Sequence, residues 1–174
     1  MKKVCMRPQD VAILLKIVAL NQSPWRHTDL ANHLFISQAE VSESLFRSFF
    51  AGLIDDSKKK VHKKSLYDFL IYGIKYVFPQ RPGAIVRGMP TAHSAPPLSE
   101  SIRSSSVIYV WPDDEGSIRG EAIEPLYPTV PKAAKFDNIF YELMSLVDAI
   151  RVGKSREHQI AAIELKKRML IDEK

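Results

Sequence analysis

Residues 28–64 read TDLANHLFISQAEVSESLFRSFFAGLIDDSKKKVHKK. The stretch divides into two helical patterns, a tight connection and a cationic tail. Thr28 is placed to cap a short helix over 29–34, in which Leu30, Ala31 and Leu34 share one face. Phe35, Ile36 and Ser37 leave room for a turn and no more. Ser37, with Glu40 three residues on, has the spacing of a reciprocal cap at a helix start. In the helix that follows, Val41, Leu45, Phe49 and Leu53 recur every fourth residue as one apolar stripe. Gly52 weakens the end of that helix and lets the backbone turn. Then come Lys58, Lys59, Lys60, His62, Lys63 and Lys64, with five lysines in seven residues. Like charges packed this tightly repel one another, and a row of phosphates would relieve that repulsion by counterion release.

Charge placement sharpens the same point. The chain has 174 residues, 45% of them hydrophobic and 26% charged, as expected of a folded globular protein rather than a disordered one. Its net charge is +5. Residues 1–65 hold 11 Lys and Arg against 6 Asp and Glu, whereas 66–136 and 137–174 each hold 7 against 7. The whole excess therefore lies beside the lysine cluster, and a polyanion is the expected partner. Cys5 is a lone cysteine, unable to form an internal disulfide and suited to a reducing cytoplasm. The opening MKKVCMRPQD lacks the apolar run of a signal peptide, and Lys16 interrupts the apolar stretch 11–20. The expectation is a cytoplasmic protein with no membrane partner.

Upstream, residues 9–21 form a further helical pattern through Val11, Leu14, Leu15, Val18 and Ala19, with Pro8 just ahead of it. Trp25 in the following connection is expected to plug the core. Three helices and then a basic hairpin is the order of a winged helix-turn-helix, and residues 9–65 resemble those of bacterial transcriptional regulators of the MarR-like sort. That resemblance rests on the short second helix, the turn, Val41-Ser42 in the third helix, and Gly52-Leu53-Ile54 leading into the wing. It implies double-stranded DNA as partner, and Gln38, Ala39, Ser42, Glu43 and Arg47 as groove-facing residues with Glu40 at their edge. Thr28 and the wing residues Lys58, Lys59, Lys60, His62, Lys63 and Lys64 complete the expected DNA-binding set. Gln38 suits an adenine edge and Ala39 a thymine methyl, while Ser42 and Arg47 suit phosphates. Glu40 and Glu43 depart from that pattern, because carboxylates repel phosphate; Glu40 has a second reading as the cap partner of Ser37. Five wing contacts would give a salt slope of about −4.5 on B-DNA.

Beyond the wing, Ser65 can cap a helix over 66–78 that is apolar nearly all round, so burial on more than one side is expected, as a core helix or as part of a subunit interface. Residues 79–131 hold nine of the eleven prolines and four of the seven glycines. They read as an irregular strap with short strands at 84–86 and 107–111, an acidic turn at 113–116, and a further extended piece at 119–124. Residues 99–106 are expected to be mobile. Arg87, Thr91, His93 and Ser94 lie close together here, but no nucleophile elbow or paired carboxylates accompany them, and no enzyme is expected. From Asp137 the chain returns to helix. One helix covers 138–152, with Ile139, Leu143, Leu146, Val147 and Ile150 as its stripe, and Gly153 ends it. A second runs from Ser155 to about Ile171, with Ile160, Ile163, Lys167 and Leu170 on one side.

The fold expected is mainly α with a small β component. It comprises a winged helix-turn-helix at 1–78, a Pro/Gly-rich strap at 79–131 and a helical hairpin at 132–174. The function expected is a sequence-specific, dimeric transcriptional regulator, which would place two recognition helices ~34–36 Å apart; the resemblance suggests the terminal helices for the dimer contact and leaves open which helix makes it. The alternative is an antitoxin-like or defence-system interaction protein that binds a partner protein through 79–131. No Walker loop or dinucleotide fingerprint is present, and His27, His33, His62, His93 and His158 lack metal-ligand spacing. No cofactor and no metal are expected.

Overall fold

The computed structural model describes residues 4–102 and 107–170. Its first helix, α1 (Pro8–Ala19), begins where Pro8 presets the backbone and Asp10 accepts the Arg7 N–H at 2.8 Å. Every residue from Asp10 to Ala19 is buried. A helix this apolar must be surrounded, and α1 packs against α2 (His27–Leu34), α3 (Gln38–Phe50) and the long α8 (Asn138–Val152). Its one internal lysine, Lys16, reaches Asp137 at 2.5 Å, so the buried charge is paired. Asp137 also caps α8, accepting the Phe140 N–H at 3.0 Å.

Several boundaries differ from those the sequence suggests. α2 starts at His27, because Asp29 accepts the Arg26 N–H at 2.7 Å; Thr28 lies inside the helix and does not cap it. After the hairpin, α4 (Lys63–Tyr72) starts two residues before Ser65, with the His62 carbonyl accepting the Leu66 N–H. Gly73 then breaks the expected long helix into α4 and the single turn α5 (Ile74–Val77). Only Leu66, Leu70 and Ile74 are buried along that length, whereas Tyr72 and Tyr76 are 75% and 73% exposed. The expectation of burial on more than one side fails there, because an aromatic-rich pattern tells little about which faces a neighbour covers.

The strap carries three strands, β1 (Ile85–Pro90), β2 (Tyr109–Pro112) and β3 (Ile118–Ala122). β2 and β3 both run antiparallel to β1 and therefore parallel to each other, with Tyr109 opposite Glu121, so the three close on themselves. At Gly88 a Cβ would fall 2.0 Å from the Trp111 carbonyl oxygen, so the two chains approach too closely for any other residue. Trp111 is buried and donates its indole N–H to Asp148 of α8 at 2.5 Å. Thr91 donates to the same carboxylate oxygen at 2.8 Å, and Arg151 Nη1 meets the other at 2.9 Å. Burial pushes the Asp148 carboxyl up, and Arg151, Trp111 and Thr91 pull against it. This buried knot fastens the strap to α8.

Short helical turns complete the strap: a 3-10 turn at Ala92–Ser94, α6 (Leu98–Ser101) and α7 (Val130–Ala134). Residues 103–106, within the stretch expected to be mobile, lie outside the described residues. α9 (Ser155–Leu170) returns along α8, and Arg168 meets Glu142 at 2.8 Å. Its buried stripe is Ala161, Leu165 and Met169, while Ile163 faces outward; the expected end at Ile171 lies outside the described residues. On α8, Ile139 is exposed, and Phe140, Leu143, Met144, Leu146, Val147, Ala149 and Ile150 are buried. Gly153 ends that helix in an extended conformation, not as a left-handed cap. One cluster of buried side chains runs through α1, α3, α4, the strap, α8 and α9. Among the described residues, no helix is long and apolar enough to cross a membrane.

Candidate nucleic-acid interface

The reciprocal cap at the start of α3 forms. Ser37 Oγ accepts the Glu40 N–H at 3.2 Å, and Glu40 accepts the Ser37 N–H at 3.1 Å. The other Glu40 oxygen accepts the Tyr127 hydroxyl at 2.9 Å. Hydrogen bonds from the Ser37 backbone and then from Tyr127 hold the Glu40 carboxyl below its ordinary value. Both of its oxygens are spent on structure, which favours the cap reading over base recognition. Two residues beyond Tyr127, Thr129 donates to the Leu34 carbonyl at 2.6 Å. The exit of the strap thus buckles the turn between α2 and α3. Sequence reasoning missed both clamps, since they lie roughly ninety residues from their partners.

The apolar stripe of α3 is narrower than four-residue spacing implies. Eight residues advance a helix by about 80° beyond two full turns, whereas seven fall about 20° short. Val41 and Leu45 are buried; Phe49, eight residues after Val41, has rotated outward, and Ser48, seven after, is buried with Ser44. Arg47 is also buried, and this corrects its place in the groove-facing set. Its Nε and Nη2 donate to the two carboxylate oxygens of Asp10 in α1, at 2.9 and 2.7 Å. Glu43 is exposed and only loosely paired with Arg47, at 3.6 Å. The outward face of α3 is therefore Gln38, Ala39, Ser42 and Glu43, followed by Phe46, Phe49 and Phe50, which are 48%, 37% and 66% exposed. The aromatic trio was missed as a surface, because in the sequence the phenylalanines read as core.

Gly52, at φ +74°, ends α3. Its N–H reaches the Phe49 carbonyl, and that of Leu53 the Ser48 carbonyl, which is the paired closure of a left-handed cap. The chain then folds into a short hairpin with Ile54 bridged to Val61 and the His62 N–H on the Leu53 carbonyl. Asp55 organises its tip. Its carboxylate accepts Ser57 Oγ at 2.6 Å and the Lys59 and Lys60 N–H groups at 2.9 Å each. The Ser57 hydroxyl first, and the Lys60 N–H next, hold the Asp55 carboxyl down at about 2. The spacing Asp55-Asp56-Ser57 is a turn signal that the sequence displays and that the count of lysines overshadowed.

The lysines do not form one sheet of charge. Lys58 lies over the rings of Phe46 and Phe49, 5.8 Å from each centroid, on the α3 side. Lys59 turns the other way, 3.9 Å above the ring of Trp25, and donates to the Trp25 carbonyl at 2.9 Å. Lys64 pairs with Asp68 at 2.5 Å. His62 contributes a ring nitrogen to the Gly52 carbonyl at 2.9 Å, which ties the base of the hairpin to the end of α3. Lys59, Lys60 and Lys63 border a groove of about 690 Å³ shared with Trp25 and the end of α1. Trp25 is half-buried, so it packs against the core and also lines this groove.

The polar residues grouped near the start of the strap are occupied with structure. Thr91 serves Asp148, His93 Nε2 faces the Val107 carbonyl at 2.8 Å, and Ser94 Oγ accepts the Tyr109 N–H at 2.9 Å. Arg87 lies in β1 opposite Arg119. Among the described residues, no group of three or more His, Cys, Asp or Glu is placed to hold a metal. No family model matches the chain, and comparison with curated proteins and with solved structures gives no match.

Proposed function

We propose that the chain is a cytoplasmic transcriptional regulator of the MarR-like kind that binds double-stranded DNA, with α3 in the major groove and the hairpin lysines on the flanking phosphates. One observation carries the reading. The first two turns of α3 present Gln38, Ala39, Ser42 and Glu43 to solvent, α1 packs on the opposite face, and the lysine-rich hairpin follows at once. Gln38 reads a base edge and Ser42 holds a phosphate; Lys58, on the α3 side of the hairpin, is the first wing contact. Arg47 and Glu40 have no part in it, being engaged by Asp10 and by Ser37 with Tyr127. A two-fold dimer through the exposed Tyr72, Tyr76 and Val77 fits the reading.

Fluorescence anisotropy across a salt series, on duplex DNA from upstream of the protein's own gene, tests it. Replacing Lys58, Lys59, Lys60, Lys63 and Lys64 by alanine should weaken binding and flatten the log–log salt slope by roughly 0.9 for each phosphate no longer neutralised. An unchanged slope and affinity would overturn the proposal.

The second reading is an interaction protein, antitoxin-like, that docks a partner protein. The exposed Phe46, Phe49 and Phe50 favour it, since a groove-facing helix has little use for three phenylalanines. On the strap, Ile85, Ile108 and Ile118 remain exposed for the same purpose. A Phe46→Ser/Phe50→Ser variant that keeps its DNA affinity but no longer co-purifies with the product of the neighbouring gene would support it.

A further inference from the structure

The outward face of α3 does not end with the residues that address the duplex. At about 100° per residue, the exposed positions from Gln38 to Phe50 fall within an arc of about 140°, with Phe46 near its middle. α3 packs on α1 and α2 through its buried side, and the C-terminal half of the outward arc is made apolar by Phe46, Phe49 and Phe50. Clustered exposed aromatic rings mark an association surface. The charges on its two flanks say what fits it. Glu43 stands on one flank, its side chain 69% exposed and in only a loose 3.6 Å contact with Arg47, which is already spent on Asp10. On the opposite flank, beside Phe49, Lys58 lies 5.8 Å from the ring centroids of Phe46 and Phe49 and has no carboxylate partner among the described residues. Lys58 is held there by its backbone. Its φ is +57°, a left-handed conformation that a residue with a Cβ keeps only where the surroundings enforce it, and its N–H donates to the Asp55 carbonyl at 2.9 Å.

An apolar face with a carboxylate on one flank and an ammonium on the other is complementary to itself. When two such helices face each other in parallel about a two-fold axis, opposite flanks meet, as the e and g positions do in a parallel coiled coil; antiparallel pairing sets like flanks together. From this geometry we infer that a second copy of the chain covers α3. The two outward faces pair in parallel, ring cluster against ring cluster, and each Glu43 reaches the partner's Lys58. Gln38 and Ser42 lie on the same face and are covered with it, so the paired form withholds the surface offered to the duplex. That regulatory consequence rests on the DNA reading, whereas the pairing rests on the face alone. The surface is separate from Tyr72 and Tyr76, and the association step that concerns it is the one that Phe46→Ser/Phe50→Ser removes.

Sedimentation velocity of the intact protein over a concentration series, without DNA, reads the pairing whether or not the DNA reading holds. The wild type should associate reversibly. Phe46→Ser/Phe50→Ser should weaken that step roughly tenfold or more at an unchanged melting temperature, both positions being exposed. Glu43→Lys and Lys58→Glu should each weaken it about tenfold, and an equimolar mixture of the two should return to within about threefold of wild type. In the mixed pair both flank contacts again join opposite charges, and a gain on mixing cannot come from repair of either fold. Duplex DNA added to the wild type should drive it toward the unpaired form. No association step sensitive to Phe46→Ser/Phe50→Ser, or a mixture that associates no better than its components, would overturn the pairing. So would a monomer in which that variant loses duplex affinity alone, which would give the face to DNA. A duplex bound as tightly by the paired protein as by the unpaired one would overturn the masking.

Discussion

Asp10 and Arg47 face each other between α1 and α3 with two hydrogen bonds and almost no solvent. Removing one member of such a pair leaves an uncompensated buried charge, so Arg47→Ala should cost about 3–5 kcal/mol by denaturant unfolding. Asp10→Ala should cost as much, and the double variant less than the sum of the two. DNA affinity per folded molecule should not fall in Arg47→Ala; a selective loss of affinity at full stability would return Arg47 to the groove. The Tyr127 hydroxyl presents a milder case. Tyr127→Phe removes one hydrogen bond to Glu40 and should cost about 1 kcal/mol, with the circular dichroism spectrum unchanged. The two residues differ in how far the sequence discloses them. The Ser37–Glu40 cap spans three residues and was legible. The partners of Arg47 and Glu40 lie 37 and 87 residues away, and a single sequence holds nothing that points across such distances.

At the scale of the element, the hairpin tip depends on one carboxylate. Asp55 sits at about 2 in the folded chain against an ordinary 3.8, so its ionised form is favoured by folding. Its contribution is complete above about pH 4 and is lost as pH falls from about 4 toward 2, a modest effect because the group is solvent-screened. The protection of the Lys59 and Lys60 amides, measured against the intrinsic exchange rate at each pH, should fall across that window, and Asp55→Ala should show the low protection already at neutral pH. Gly52 holds the other end of the element. Gly52→Ala should cost roughly 1–2 kcal/mol, because a Cβ is strained at its φ of +74°. Glycine here was legible as a helix end. Which way Phe49 and Ser48 faced was not, since four-residue spacing drifts around the helix and only a neighbouring surface decides where the stripe ends. The same ambiguity misplaced the exposed tyrosines of α4 and α5.

For the whole molecule, the order helix, helix, turn, helix, hairpin was readable from 9–64, and the mainly α composition followed. The role of α8 was not. Its apolar face reads as half of a terminal hairpin, whereas it lies against α1, α4, α5, α7 and α9 together. α1 is buried along its length partly by α8, so a fragment ending at Phe78 would expose the face of α1 around Lys16, which meets Asp137 and Phe140. It should lack a cooperative thermal transition; cooperative melting of residues 1–78 by circular dichroism would show that this part folds alone.

The small sheet limits how copies of the chain can meet. Its strands find ladder partners among themselves, which occupies many of the amides and carbonyls that an open sheet would leave along its edges. Strand exchange between molecules and templated growth of a sheet therefore find little to start from in the strap, even though it exposes Ile85 and Ile118. Association is thereby steered toward side-chain faces: a self-complementary face closes on a dimer, whereas a head-to-tail one closes only where its rotation allows.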